Sequence, residues 1–326
     1  MNLSWRKRSE VKAMKKNLIL DVDTGIDDAF ALLFAARHPE INLLGVTCVD
    51  GNTNLKQVII NTLKVLDAAG AANIPVAKGA TRPLIEESRY AEYIHGSDGL
   101  GDLGTPLSTR ALDPRPAVEL IRDLIEGTDG PVTLVPLGPL TNIALFLRSY
   151  PETAAKLERI VLMGGSASSG NATPAAEFNV WHDPEAAAIV FSSGVPITMY
   201  GLDVFMEPRV SAAQAAALIA EGAACSTFAG RLIEHFIKQV GHDVTLGDYG
   251  AVATAIRPEL SSYEHFKIVV DTSFGPSRGQ TLCDRREWKD EEPESTHAKA
   301  PLVQVAMKVD VPAMISLWLE TISTKN

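Results

Sequence analysis

Cysteine is scarce in this 326-residue chain: there are three, Cys48, Cys225 and Cys283, an odd number set far apart. That spacing excludes a disulfide-stapled miniprotein, a zinc knuckle and a CxxC redox pair, and it points to a reducing, cytoplasmic setting. Basic residues are outnumbered, 30 Lys and Arg against 40 Asp and Glu, for a formal charge of −10. A chain of that sign is ill suited to nucleic-acid phosphates or an anionic membrane, so a small neutral or cationic ligand, or a metal, fits better. No run of about 18 apolar residues is present to span a bilayer. The basic opening MNLSWRKRSEVKAMKK also lacks the apolar stretch of a secretory signal. Residues 1–16 are therefore expected to form a poorly ordered extension ahead of one domain over 17–326.

What is there is core material. The chain is 46% apolar and 21% charged, which suits a large soluble domain. From Asn17 onward, β-branched runs alternate with alanine-rich helical stretches: NLILDV, AFALLFAARHP, INLLGVTCV, a helix near 54–69, PAVELIRDLIEG, PVTLVP, LTNIALFLRSY, ERIVLMGG, a helix opened by Asp183-Pro184-Glu185, and PITMY. This is the rhythm of an α/β fold: a single domain with a mostly parallel central sheet flanked by helices, its strands covered on both faces. Beyond Tyr200 the pattern becomes more helical before a returning strand near FKIVV, and the charged stretch from Arg285 to Glu294 reads as an exposed loop. In such sheets ligands gather at the carboxyl ends of the strands, where loops and helix N-termini converge.

LILDVDTGIDDAF places Asp21, Asp23, Asp27 and Asp28 within eight residues, at the end of a buried strand and the first turn of a helix. Asp21 and Asp23 are two apart and share a strand face, and Gly25 is expected to permit the turn that brings Asp27 and Asp28 back. One or two of these carboxylates could simply cap the helix. Four anions held so close repel unless a cation sits among them, and hard oxygen ligands without His or Cys favour calcium or magnesium over zinc.

Further blocks follow: CVDGNTN, LVPLGPLTNIAL and VLMGGSASSGNATPAAEFNVWHDPEAA at expected strand ends, the glycine-rich loop HGSDGLGD, and GDYGAVATAIRPEL at an expected helix start. Asn52 in the first, and Asn171, Glu177 and Asn179 in the third, combine hydrogen-bond donors and acceptors, although Gly51-Asn52 by itself reads as a turn dipeptide. Together these blocks and DVDTGIDD resemble the calcium-dependent nucleoside N-ribohydrolases, the inosine-uridine preferring nucleoside hydrolase family, over nearly the whole chain after Lys16.

The resemblance implies a Rossmann-like nucleoside hydrolase fold and hydrolysis of the N-glycosidic bond of ribonucleosides to ribose and free base, with a Ca2+-bound water as nucleophile. It implies Asp23, Asp28, Asp248 and the Leu137 main-chain carbonyl as calcium ligands, with Asp23 also as general base. Asp27, Asn52, His95, Met163, Asn171, Glu177, Phe178 and Asn179 would form the nucleoside site, with Phe178 contributing packing, and a homodimer or homotetramer would be the assembly. Thr141 and Asn142 read as helix-start residues. One departure stands out: where inosine-uridine preferring members carry a His proposed to protonate the departing base, this chain has Gly247, with His242 and Tyr249 nearby but out of register. An aromatic such as Trp288 could assist by stacking. Two other readings follow from the same residues: a riboside-binding protein that has lost turnover, or, from the strand-ending DVDT, a haloacid-dehalogenase-like Mg2+-dependent phosphatase with a phosphoryl-carrying Asp.

Overall fold

A computed structural model of the chain describes residues 15–91, 94, 96, 98–286 and 300–323. Most of the expected N-terminal extension, 1–14, and most of the charged stretch, 287–294, lie outside the described residues.

The centre is a nine-stranded sheet in the order β10-β9-β11-β6-β5-β4-β1-β2-β3. Strands β1 (Lys16–Val22), β2 (Ile41–Cys48), β3 (Val76–Lys78), β4 (Val132–Pro136), β5 (Arg159–Met163) and β6 (Ile197–Tyr200) run parallel. β11 (Leu302–Val309) continues parallel to β6, whereas β9 (Ser261–Val270) and β10 (Thr281–Cys283) add an antiparallel edge. The apolar runs that marked β1, β4, β5 and β6 are buried almost throughout, as expected of strands covered on both faces. A small pair, β7 (Arg209–Val210) with β8 (Val244–Thr245), stands apart from the main sheet.

Helices α1 (Ile26–Arg37), α2 (Leu55–Ala68), α3 (Ala117–Glu126), α4 (Thr141–Ser149) and α5 (Pro151–Ala154) connect the first five strands. α6 (Phe178–His182) and α7 (Pro184–Phe191) lead into β6, followed by α8 (Leu202–Phe205), α9 (Ala212–Ala220), α10 (Ala224–Val240) and α11 (Tyr249–Ile256). The last helix is α12 (Val311–Ser323). Among the described residues no helix is long and apolar enough to cross a membrane.

Two features of this architecture set up a site. β1 lies between β2 and β4: the chain runs outward from β1 through β2 to β3 and then crosses back to β4 on the other side of β1, which opens a crevice at its carboxyl end. α1 and α11 also pack against each other, with the Phe34 and Tyr249 rings edge to face at 4.7 Å. Trp318 of α12 closes this contact from behind, its indole N–H donating to the Phe30 carbonyl at 3.2 Å, while the Tyr249 hydroxyl donates to the Met314 carbonyl at 2.8 Å. The packing brings together the N-termini of α1 and α11, each bearing aspartate.

Candidate active site

Asp23 follows the last residue of β1, and Asp27 and Asp28 occupy the first turn of α1. Gly25, the residue before the helix, has φ −97° and ψ −159°, ordinary extended backbone. The expected turn does form, with Asp27 and Asp28 brought back beside Asp23, and it needs no left-handed backbone. It is held instead by Asp28, whose Oδ2 accepts the Gly25 N–H at 2.9 Å and whose Oδ1 accepts the Asp23 N–H at 3.3 Å. Asp28 closes its own helix start, as the capping reading required, yet its carboxylate remains within the acidic cluster.

Carboxylate oxygens of Asp27, Asp28 and Asp248 lie within 4.8 Å of one another. Asp248 sits immediately before α11 and does not cap it. Asp23 adjoins the three: the charges of Asp28 and Asp27 both act on it, and it acts in turn on Asp248. Its carboxylate is held in a narrow slot. A Cβ on Gly51 would lie 2.1 Å from Asp23 Oδ2, and one on Gly138 would lie 2.6 Å from Oδ1. Asn52 then fixes the cluster from one side, donating its N–H to Asp23 Oδ2 at 2.7 Å and its side-chain amide to Asp28 Oδ2 at 3.2 Å.

Burial dominates the electrostatics. It raises the Asp23 and Asp248 carboxyls well above the ordinary range, with neighbouring carboxylates adding to the effect, and pushes Asp28 up to about 7. Behind the cluster Asp21 is also pushed to about 7 by burial, although Thr47 and Asn142 donate to its Oδ1 at 2.5 and 2.8 Å. Negative charge is thus unfavourable in this site without a cation. The donor set is all oxygen, as a hard divalent ion requires.

The opposite wall comes from the β4 and β5 ends. Asn179 donates its amide to the Leu137 carbonyl at 2.7 Å, with Met163 O and Sδ each at 3.3 Å. Glu177 caps α6, its two oxygens accepting the N–H groups of Asn179, Val180 and Gly165 at 2.8, 3.1 and 2.8 Å. Burial pushes its carboxyl up to about 7. Asn171 Oδ1 accepts the Phe178 N–H at 2.9 Å, holding the GNATPAAEFN loop over the site. Asn171, Glu177 and Asn179 are therefore already braced by backbone.

Between the walls lies a cavity of about 380 Å³, within the roughly 300–1,000 Å³ usual for small-molecule sites. Asp27, Asn52, Leu137, Met163, Asn171, Glu177, Phe178, Asn179 and Asp248 all line it. Asp23 and Asp28 lie beneath rather than along its surface. His95 and Trp288 fall outside the described residues.

Sequence reasoning missed a second half of this cavity: Ala91, Ala172, Phe205, Met206, Phe236, Gln239, Val240 and Thr245, contributed mainly by α8, α10 and the strand after them. No motif marked them, because an apolar side chain reads as core until the fold shows which face it lines. Also missed was the role of Asn142. Its amide donates to Asp21 Oδ1 and to the Cys48 carbonyl at 3.0 Å while its oxygen accepts the Ala80 N–H at 2.8 Å, tying β1, β2 and the chain after β3 together. A third unforeseen feature is the buried pair of His182 and Asp50, Nε2 to Oδ2 at 3.5 Å. Asp50 also receives the Ser88 and Tyr90 hydroxyls at 2.6 and 3.3 Å, and His182 Nδ1 lies 3.1 Å from the Arg89 carbonyl. The pair fastens segment 88–91 between the Asn52 turn and the helix that presents Asn179.

The model of the inosine-uridine preferring nucleoside hydrolase family matches residues 18–316. The chain belongs to that family. Among curated relatives, the pyrimidine-specific ribonucleoside hydrolase RihA of Shewanella sp. (strain MR-4) is 41% identical over 280 residues, 83% of this chain and 87% of that protein. Two solved structures superpose closely: the plant nucleoside hydrolase PpNRh1, with TM-score 0.88, 30% identity and coverage of 95% of this chain and 99% of that one, and the purine-preferring ribonucleoside hydrolase of Gardnerella vaginalis, with TM-score 0.86, 33% identity and coverage of 94% and 98%. The protein is thus a nucleoside hydrolase, acting on N-glycosyl bonds of ribonucleosides. The phosphatase reading of DVDT falls with that assignment.

Proposed function

We propose that this nucleoside hydrolase uses Ca2+, held by the carboxylates of Asp23, Asp28 and Asp248 and the Leu137 carbonyl, to split ribonucleosides at the floor of the 380 Å³ cavity. One observation carries the reading: three buried carboxyls, Asp23, Asp28 and Asp248, stand together with the half-buried Asp27 at the carboxyl end of β1, where burial and the neighbouring carboxylates oppose the ionisation of the three. The all-oxygen donor set fits calcium. When bound, calcium supplies a Lewis acid that lowers the pKa of water and stabilises the ionised carboxylates.

The protein's own groups then have distinct tasks. Asp23, fixed by Gly51, Gly138 and the Asn52 N–H, accepts the proton of the attacking water. Asp27, on the cavity surface, takes the vicinal ribose hydroxyls together with Asn52, Glu177 and Asn179. These anions and amide oxygens also stabilise the positive charge that develops on the sugar as the C1′–N bond lengthens. Met163 and Phe178 pack against the sugar, Asn171 joins Glu177 and Asn179 in ribose recognition, and His95 is assigned to the base or the 5′ end.

For the base we propose pyrimidine preference, supported by the name of the relative at 41% identity, over purine preference, supported by the solved structure at 33%. We further propose a cytoplasmic protein that works as a homodimer or homotetramer. Ribose release from uridine, cytidine, inosine and guanosine, with and without chelator, tests the reaction and the base together, and light scattering tests the assembly.

A further inference from the structure

The departing base leaves as an anion unless it takes up a proton, so a side chain on the base side of the cavity that can give one accelerates the step. Position 247 cannot supply it. Gly247 has φ +51°, and a Cβ there would lie 2.8 Å from both the Asp27 Cβ and the Phe205 Cζ. The Phe205 ring fills the space where a longer residue at 247 would have to start.

The carboxyls that line the cavity, Asp27, Glu177 and Asp248, are already assigned to the sugar and the metal. Apart from these and the residues assigned to the sugar, the described lining is Ala91, Ile94, Ala172, Phe205, Met206, Phe236, Val240 and the neutral polar Gln239 and Thr245, with one imidazole, His242. The local chain explains its position. α10 ends at Gly241, whose φ of +78° is left-handed and whose N–H donates to the Ile237 carbonyl at 2.8 Å, so the chain turns off the helix with His242 at the cavity rim. The His242 ring is held by its Nδ1, 2.9 Å from the Asp243 carbonyl. Donation from Nδ1 leaves Nε2 as the nitrogen that carries or releases the second proton.

We propose that His242 is the acid that protonates the departing base, an inference that rests on the hydrolase reading above. The C1′–N bond breaks with its electron pair passing to the base nitrogen. The Nε2 proton of the imidazolium moves to the base, the water oxygen bonds to C1′, and the water proton passes to Asp23. Exchange with solvent returns a proton from Asp23 to His242, so the sum is riboside plus water giving ribose plus neutral base.

The test is leaving-group dependence, using the calcium-loaded protein with His242→Ala and His242→Gln. Nucleosides need base protonation, whereas p-nitrophenyl riboside releases a stable phenolate without it. The expected result is a loss of about 100-fold or more in kcat for nucleosides with both variants, as for removal of a general acid, while p-nitrophenyl riboside turnover stays within about threefold of wild type. Retained phenolate release also shows that each variant is folded. Equal losses on both substrates, or no loss on either, would overturn the assignment of His242. Absence of ribose release from every riboside by the wild-type protein would instead overturn the hydrolase reading itself.

Discussion

Asn52 bridges two carboxylates of the site, giving its backbone N–H to Asp23 at 2.7 Å and its side-chain amide to Asp28 at 3.2 Å. Only one of those bonds depends on the residue type. Asn52→Ala is expected to keep the Asp23 contact, lose the Asp28 contact and weaken sugar binding, with KM for the nucleoside rising about tenfold or more and a smaller change in kcat. Steady-state kinetics checks this split, and an unchanged KM counts against a sugar contact.

Asp23 depends on the absence of side chains around it. In Gly51→Ala the new Cβ would lie 2.1 Å from Oδ2, and in Gly138→Ala 2.6 Å from Oδ1. Either substitution must push the carboxylate out of place, with a stability cost of about 1–3 kcal/mol as for other overpacked sites. Activity is expected to fall at least about 100-fold while the protein still melts cooperatively. Near-normal turnover in both would show that the position of Asp23 is not critical.

The raised carboxyls fix the sign of the pH dependence. Asp21 and Asp28 move from 3.8 to about 7 on folding, and Glu177 from 4.5 to about 7, all chiefly by burial. The folded protein therefore binds more protons than the unfolded chain between those values, so metal-free stability is fully present below about 4 and declines as pH rises toward and through 7. Calcium favours the ionised forms. The rise in melting temperature on adding calcium is expected to be larger at pH 7.5 than at pH 5, and to be lost in Asp28→Asn. A calcium shift that is flat with pH would contradict the placement of the ion among these groups.

His182 and Asp50 are buried together outside the reaction chemistry. Removing the imidazole takes the Nδ1 contact from the Arg89 carbonyl and the Nε2 contact from Asp50, which keeps the Ser88 and Tyr90 hydroxyls, and so loosens segment 88–91, at a cost of about 1–3 kcal/mol. His182→Ala should lower the melting temperature and raise KM through Ala91, whose N–H donates to the Asn52 carbonyl at 2.9 Å. Chemical denaturation and kinetics on the same preparation check both effects, and a stable variant with wild-type KM would remove the positioning role.

How much of this was legible beforehand follows the physics of each element. The parallel strands announced themselves as apolar runs, and the acidic turn and the Glu177–Asn179 segment were visible because polar residues in such surroundings need a reason, whereas Asn52, in a turn dipeptide, came forward only through the family resemblance. Spacing alone did not reveal that Asn142 binds three chain segments together, since its partners Asp21, Cys48 and Ala80 are between 62 and 121 positions away. The aromatic half of the cavity was hidden for a different reason: Phe205 and Phe236 have the same helical pattern whether they face core or ligand.

The most direct test of the central claim is ribose release from purine and pyrimidine ribonucleosides by the purified protein, with calcium, with chelator, and with Asp23→Ala. The account predicts release that chelator abolishes, calcium restores and Asp23→Ala reduces by several orders of magnitude. Release that persists in chelator, or survives in Asp23→Ala, would contradict it.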